Sequence, residues 1–200
     1  MVTAMKTLLP VFAAAIVLAA CGRQDQPQRS DTTGEAPSSA TPSTPTGGAP
    51  AGSGAALQLN ATQGNTATGM LAVASAADGV HLSGALQGLK PDAEFGFHIH
   101  EKGDCSAPDA SSAGEHFNPA GAQHGNPSAG AHHAGDMLNV KSDAQGMAKV
   151  DVHASGVTLN SGQANDVLGK AVVLHEKPDD YATQPSGNSG ARIACGVISN

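Results

Sequence analysis

From residue 54 onward the chain alternates between hydrophobic and polar positions over short runs, which glycine, asparagine, aspartate and serine separate. Alternation with a period of two is typical of β-strands that bury one face, and no window keeps the 3.6-residue apolar spacing of an amphipathic helix. The predicted strands are ALQLNA, GMLAVAS, VHLSGAL, EFGFHIH, MAKVDVHA, GKAVVLH and ARIACGVI. We therefore expect an all-β domain, built as a Greek-key sandwich or barrel.

Two stretches, residues 101–136 and 176–190, interrupt this alternation. Long segments without secondary structure are uncommon in a compact domain, and those that occur are usually functional. Histidines and carboxylates are concentrated in the first stretch and at the strand ends beside both. We therefore expect the chemistry of the protein on these two loops and on the adjoining strand ends.

The beginning of the chain has a different pattern, in which Lys6 precedes an apolar run over residues 8–20. The run is shorter than the about 20 residues that cross a bilayer, so it is typical of a secretory signal, with a transmembrane anchor as the alternative. The sequence LAACG around Cys21 resembles the lipobox of bacterial lipoproteins. We expect residues 1–20 to be a lipoprotein signal peptide and Cys21 to carry a lipid anchor. Ordinary cleavage near Ala20 is the alternative.

Residues 22–54 are rich in proline, serine, threonine and glycine and contain no Val, Ile, Leu, Phe or Met. Such a segment buries too little apolar surface to offset the entropy that ordering costs. We expect residues 21–54, beginning with the lipidated Cys21, to form a disordered tether, and residues 55–200 to form one folded domain. The chain contains no nucleic-acid-binding motif.

The chain has three cysteines, and exported proteins rarely leave an odd thiol free. If Cys21 carries lipid, Cys105 and Cys195 remain as a pair that an oxidising periplasm can join in a disulfide. Two unpaired buried cysteines are the alternative. The cysteine count therefore favours an exported protein with one disulfide.

His98 and His100 form an H-x-H pattern on a predicted strand. Alternate strand residues point to the same side, so both imidazoles can bind one ion. Two histidines on a solvated strand face would give the same pattern. His175, at the end of another predicted strand, can complete the set, and four nitrogen ligands in a tetragonal arrangement suit copper(II).

A second ligand pattern lies in the first loop, where His116, His124 and His133 are spaced by eight and nine residues. Asp136 follows three residues after His133. Three imidazoles and one carboxylate form a closed tetrahedral set that suits zinc. His132 adjoins His133, and the three-residue spacing to Asp136 favours His133 as the ligand.

Six segments, in this order and near this spacing, give the chain a resemblance to the copper/zinc superoxide dismutases over residues 55–200: GFHIHEKGD, AGEHFNP, QHG, HHAGD, VVLHEKPDD and ARIACGVI. The resemblance implies an eight-stranded, flattened Greek-key barrel or sandwich of the immunoglobulin-like type with two long functional loops. It also implies an oxidoreductase that converts superoxide to oxygen and hydrogen peroxide with copper and zinc as cofactors.

The resemblance further implies a role for individual residues. The implied copper ligands are His98, His100, His116 and His175. The implied zinc ligands are His116, His124, His133 and Asp136. His116 would therefore bridge both metals as a catalytic residue, while Asp179 would hydrogen-bond the rings of His98 and His124 and fix their orientation. Arg192, the second catalytic residue, would attract and position superoxide.

The resemblance also pairs Cys105 with Cys195 in the disulfide of the family. Cys105 lies only five residues after His100, and the span between His175 and Arg192 is short. Both features resemble the bacterial periplasmic members. We therefore expect a periplasm-facing enzyme of the bacterial cell envelope that is lipid-anchored to a membrane and protects the envelope from oxidative stress. Whether the protein forms a homodimer stays open.

The formal net charge of −7 repels an anionic substrate on average. A local positive focus in a narrow cleft overcomes such repulsion, and Arg192 with the copper would supply one. Lys102 and Lys177 either add to this potential or are solvated loop residues. His81 and His153 lie on predicted strands outside the motifs, where a surface or core-edge role is favoured.

Two other functions fit parts of the sequence. A copper-binding lipoprotein, or a relative without catalysis that stores or delivers metal, often lacks a copper ligand, the bridging histidine or the arginine, and all of these are present here. A structural zinc domain explains His124, His133 and Asp136 but leaves the other histidines and Arg192 unused. The metal count separates the three functions, because only the enzyme needs both copper and zinc.

Overall fold

The computed structural model describes residues 54–200. This part contains one short 3-10 helix, Ser111–Ala113, and nine strands: β1 Ala55–Ala61, β2 Thr68–Ala76, β3 Gly79–Gln87, β4 Glu94–Phe95, β5 Phe97–His100, β6 Val140–Lys141, β7 Ala148–Ser155, β8 Ala171–His175 and β9 Arg192–Val197. None of its helical residues form a helix of the length and apolar character that a bilayer span needs. The expected signal peptide, the lipidated Cys21 and the tether up to residue 53 lie outside the described residues and stay predictions.

Seven strands form one antiparallel sheet in the order β5-β8-β9-β1-β2-β3-β7, and β4 pairs with β6. Gly96 alone separates β4 from β5, so residues 94–100 are one extended segment that pairs first with β6 and then with β8. Because β6 also lies against β7, the small sheet connects the two edges of the large one. Counted by extended segment there are eight strands, and the expected all-β Greek-key barrel is confirmed.

The alternation in the sequence corresponds to one buried and one exposed strand face. In β1, Leu57 and Leu59 are buried between exposed neighbours, and in β7 Val150 and Val152 are buried between exposed or half-buried ones. Each such side chain contributes about 1.5–3 kcal/mol when it is fully buried. In β5 and β8, by contrast, every position is buried, because the core covers one face and the two long loops cover the other.

β5 is the edge strand of the large sheet, and two segments of the first loop pair with its outer edge. The backbone N–H of Phe117 donates to the carbonyl oxygen of Ile99 (2.8 Å), and the N–H of Ile99 donates to the carbonyl oxygen of Gly135 (2.9 Å). A Cβ at residue 135 would overlap the backbone of Ile99 and Phe117, so this close approach requires glycine. The pairing brings the histidine-rich loop directly beside the H-x-H strand.

A disulfide between Cys105 and Cys195 joins the first loop to β9, which confirms the expected pair. A small apolar cluster surrounds it: Ala110, Ala113, Ala171 and Val173. The start of the first loop is thereby fixed on β8 and β9. Both predicted loops lack strands as expected, whereas the two-residue strand β6 was not predicted.

Candidate metal centre

Buried side chains form two groups of potential metal ligands. Within each group, one nitrogen or oxygen atom from every residue lies within 4.8 Å of the others. The first group consists of His98, His100, His116 and His175. The second group consists of His116, His124, His133 and Asp136. All seven residues are at most 7% exposed, and the ring of His116 belongs to both groups.

The strands position the first group. His98 and His100 occupy alternate positions of β5, so their rings lie on the same side, and His175 ends the neighbouring strand β8. His116 comes from the loop segment beside β5, where it lies opposite His100 in an isolated β-bridge. Strand register and one bridge therefore bring together four imidazoles from three separate parts of the sequence.

Each ring of the first group that comes from a strand has one nitrogen hydrogen-bonded and the other unpaired. The hydrogen bonds are His98 Nε2 to Asp179 Oδ2 (2.8 Å), His100 Nδ1 to the Gly114 carbonyl (2.9 Å) and His175 Nδ1 to the Gly190 carbonyl (3.3 Å). The unpaired buried nitrogens are His98 Nδ1, His100 Nε2, His116 Nε2 and His175 Nε2. An imidazole fixed through one nitrogen presents the other to a metal.

Burial makes these strand histidines weak bases. Loss of solvent lowers the pKa of His98 to about 4 and, with the neighbouring His116 adding to the effect, lowers the pKa of His100 to about 2. Burial also holds the pKa of His175 well below its ordinary value. The three rings are neutral at pH 7, which is the form that binds a metal ion.

The carboxylate of Asp136 lies at the centre of the second group. Three ring nitrogens surround it, namely His116 Nδ1 at 2.8 Å from Oδ1, His124 Nδ1 at 3.0 Å from Oδ2 and His133 Nδ1 at 3.4 Å from Oδ1. Oδ2 also accepts hydrogen bonds from the backbone N–H groups of His133 (2.9 Å) and Gly125 (3.2 Å). The second group is therefore arranged around an anion.

This anion changes the protonation of the second group. Burial raises the pKa of the Asp136 carboxyl, but the hydrogen bonds from His116 and His124 outweigh it and hold that pKa well below its ordinary range. Burial likewise lowers the pKa of His124, yet hydrogen bonds to Asp136 and Asp179 raise it to about 9. Burial lowers the pKa of His133. At pH 7 the metal-free second group therefore carries a proton on His124 that a metal must displace.

Asp179 connects the two groups. Its Oδ2 accepts a hydrogen bond from His98 Nε2 (2.8 Å), and its Oδ1 accepts one from His124 Nε2 (2.9 Å). Burial raises the pKa of this carboxyl, but the hydrogen bonds from His124 and His98 hold it below its ordinary range. Gly187 lies against it at a φ of 64°, and a Cβ there would overlap the carboxylate. The expected contacts of Asp179 with both rings are present.

A β-bulge directs Arg192 toward the first group. A register shift in the β8–β9 pair places Arg192 opposite His175, and bulges commonly re-aim side chains beside functional sites. The guanidinium donates to the carbonyl oxygens of Ala110 and Gly114, each at 2.7 Å. Its positive charge is a minor cause of the lowered pKa values of His100 and His175. A fixed cation therefore lies beside the first group.

Two other histidines lie on the solvent face of β3 and β7, away from both groups. His81 Nε2 is 2.7 Å from Asp151 Oδ1, and His153 Nε2 is 3.0 Å from Asp78 Oδ1. His81 and His153 face each other across the two strands. Both histidines thus form partly exposed contacts with carboxylates at the surface.

His132, Lys102 and Lys177 also lie outside both groups. His132 Nδ1 donates to the carbonyl oxygen of His133 (2.7 Å), while the ring of His133 joins the second group. Lys102 is exposed, and its ammonium lies 3.8 Å from Glu101. The backbone carbonyl of Lys177 accepts a hydrogen bond from the N–H of Gly96 (2.8 Å).

The donor sets match different metals. Four imidazole nitrogens are ligands that copper(II) accepts, and three imidazoles with one carboxylate are typical of a closed zinc site. Sequence reasoning missed two side-chain amides that hold the backbone of site residues: Gln184 binds the ligand His124, and Asn139 binds Asp179. The only local signal was an amide within or beside each loop, a signal that many surface positions share.

Comparisons with known proteins agree with this geometry. The sequence profile of the copper/zinc superoxide dismutase (SODC) family matches residues 67–198. Superoxide dismutase [Cu-Zn] 2 of Aquifex aeolicus is 49% identical over 115 residues, which cover 56% of this chain and 67% of that protein. A superoxide dismutase-like protein of Bacillus subtilis is 36% identical over 197 residues, which cover 96% of this chain and 95% of the relative.

A solved structure agrees as well. The crystal structure of a SOD-like protein from Bacillus subtilis superposes with a TM-score of 0.64 at 41% sequence identity and covers 72% of this chain and 97% of that one. The profile match spans the H-x-H strand, both loops and the disulfide. The chain therefore belongs to the copper/zinc superoxide dismutase family and is an oxidoreductase with copper and zinc as its cofactors.

Proposed function

We propose that this protein dismutes superoxide with copper bound by the first group and zinc bound by the second. The observation that carries this assignment is the position of His116, whose Nε2 is unpaired on the side of the first group while Nδ1 lies 2.8 Å from Asp136 in the second. One ring with a nitrogen in each group can serve both metals at once. A single-metal domain has no use for that arrangement.

Copper, when bound, supplies one-electron chemistry by accepting an electron from one superoxide and giving it to the next, so that two superoxide anions and two protons yield oxygen and hydrogen peroxide. The neutral rings of His98, His100 and His175 provide its nitrogen ligands. His116 Nε2, which is unpaired on the side of the first group, is the ring atom positioned to hold a proton for peroxide formation, because Nδ1 faces the second group, where zinc would bind. Asp179 maintains the orientation of the rings on both sides.

Arg192 is the substrate-attracting residue in this proposal. The chain carries a net charge of −7, which disfavours the approach of an anion. The guanidinium, held by two carbonyl oxygens next to the first group, gives a fixed positive charge at the site where superoxide must react. A local field of this kind raises the association rate of an anionic substrate even on an acidic protein.

The test is to purify the full chain after supplying both metals and to measure superoxide dismutation together with copper and zinc content. One copper and one zinc per chain with fast turnover support the proposal. Full loading with negligible turnover would favour metal storage or delivery instead. Zinc alone would favour a structural zinc domain.

We also propose that the enzyme is held by a lipid at Cys21 on a membrane of the bacterial cell envelope, faces the periplasm and protects the envelope from superoxide. The support is the LAACG sequence at the end of a short apolar run, together with a disulfide, which is typical of oxidising compartments. Cys21→Ser is expected to move the protein from the membrane fraction to the soluble periplasmic fraction. Unchanged membrane association of this variant would contradict the anchor.

A further inference from the structure

Two side-chain amides outside both ligand groups bind the backbone of residues that orient the site. We name residues 101–139 loop 1 and residues 176–191 loop 2. Gln184 in loop 2 holds His124 of loop 1, since its Oε1 accepts from the His124 N–H (3.0 Å) and its Nε2 donates to the His124 carbonyl (2.8 Å). His124 lies in a segment without regular secondary structure. Within residues 54–200 these are the only hydrogen bonds of its backbone.

Asn139 in loop 1 holds the backbone of Asp179 in loop 2 in the same way. From the end of loop 1, its Oδ1 accepts from the backbone N–H of Asp179 (2.9 Å), and its Nδ2 donates to the Asp179 carbonyl (3.0 Å). Tyr181 completes the contact, because its hydroxyl accepts from the Asn139 N–H (2.7 Å) and its own N–H donates to Asp179 Oδ1 (2.6 Å). Each loop therefore supplies an amide that fixes a site residue of the other loop.

The two amides do not reach the unpaired ring nitrogens or the Asp136 carboxylate. They act on the backbone of His124 and Asp179, the two residues joined by the Nε2–Oδ1 hydrogen bond at 2.9 Å. A backbone held at both its N–H and its carbonyl has little freedom to rotate, so the side chain it carries is aimed before a ligand arrives. Both amides therefore affect the second group through these residues.

We propose that Asn139 and Gln184 are positioning residues that preorganise the second group, so that its metal is released slowly. The inference rests on the proposed function, which assigns zinc to that group. Loss of an outer partner of a metal ligand typically weakens metal affinity by 10–100-fold. Because Gln184 is exposed, we expect removal of its amide to weaken metal affinity by an amount near the lower end of this range. Removal of the Asn139 amide, whose hydrogen bonds are partly buried, should weaken it more.

The test compares Gln184→Met and Asn139→Leu, which keep side-chain size but remove the amide, in the full chain loaded with copper and zinc. The control is Gln163→Met, an exposed position whose side chain makes no hydrogen bond within the described residues. The rates at which zinc and copper transfer to a chelator are measured, together with the absorption spectrum after cobalt(II) replaces zinc. The unfolding midpoint of each metal-free variant is also recorded.

We expect zinc release to be about 10-fold faster in Gln184→Met and faster still in Asn139→Leu, with copper release within about 2-fold of the parent protein. The cobalt spectrum should change in both variants and stay as in the parent in Gln163→Met. Gln184→Glu, which keeps the acceptor for the His124 N–H and loses the donor, should lie between Gln184→Met and the parent. If Asn139→Leu does not fold, the Gln184 series alone decides the matter.

Unchanged zinc release in the Gln184 variants would overturn the inference. Equal acceleration of zinc and copper release, with a lower unfolding midpoint of the metal-free protein, would also overturn it, because that result indicates general loosening of the fold. If the parent binds two metals but the variants release zinc at the parent's rate, only this inference is overturned and the proposed function stands. A parent that binds only one metal would overturn both this inference and the proposed function.

Discussion

The first and second ligand groups share one ring, but they are built in different ways. The first takes three of its four histidines from the strands β5 and β8, and hydrogen bonds to carbonyls or to Asp179 orient those rings. The second comes entirely from loop 1 and is arranged around the carboxylate of Asp136. Strand register can place side chains by itself, whereas a loop needs additional hydrogen bonds to hold the same precision.

The two constructions also differ in charge. In the metal-free protein the strand histidines of the first group are neutral, because burial lowers their pKa values. In the second group the ionised carboxylate of Asp136, together with that of the neighbouring Asp179, stabilises a proton on His124. Metal entry into the second group must therefore release a proton that entry into the first does not.

The largest effect is expected when the residue common to both groups is removed. His116→Ala should lower superoxide dismutation by more than about 100-fold and weaken the binding of both metals, since each group loses a ligand. Turnover and metal content per chain are the measurements. His132→Ala is the matched control, because this loop 1 histidine lies outside both groups. Near-normal turnover of His116→Ala would contradict the shared role.

The next effect concerns the carboxylate that joins the groups. Asp179→Asn removes the negative charge and at least one of the two hydrogen bonds to His98 and His124. We expect zinc affinity to fall by about 10–100-fold and copper affinity to fall less, because the strand around His98 remains paired. Competition with a chelator measures both affinities. If copper affinity falls more than zinc affinity, the first group depends more on Asp179 than the second does, which would contradict this prediction.

The difference in protonation predicts a difference in pH dependence. The pKa of His124 is raised to about 9, so below that pH its proton must leave when metal binds, and affinity falls as the pH falls. Between pH 6 and 8 we therefore expect zinc affinity of the second group to rise about tenfold more per pH unit than copper affinity of the first. Equal slopes in single-metal titrations would contradict this.

The smallest effect is expected from the charge beside the first group. Arg192→Ala should lower kcat/KM several-fold at low ionic strength, with copper and zinc content unchanged, and the difference from the parent should shrink as salt screens the field. Rates measured across a salt series test this. Rates equal to those of the parent at low salt would remove the steering role of Arg192.

Much of the fold could be predicted because strand alternation is a local property. The seven predicted runs correspond to the long strands, but β6 was missed, since two residues are too few to show a period. The split at Gly96 was also not predicted, because it depends on which neighbour each half of the segment meets. The bulge that sets Arg192 opposite His175 follows from the register of β8 against β9, which sequence periodicity does not contain.

The sequence by itself determined the strand pattern, the residue types that can bind copper and zinc, and the spacing that favours His133 over His132. These properties depend on neighbours a few positions away and on side-chain chemistry. Only the tertiary structure decided which nitrogen of His116 lies in which group, why His124 holds a proton while His100 does not, and that Asn139 and Gln184 hold residues of opposite loops. Those properties arise from burial and from hydrogen bonds between residues distant in sequence, which form only when both loops pack over β5 and β8.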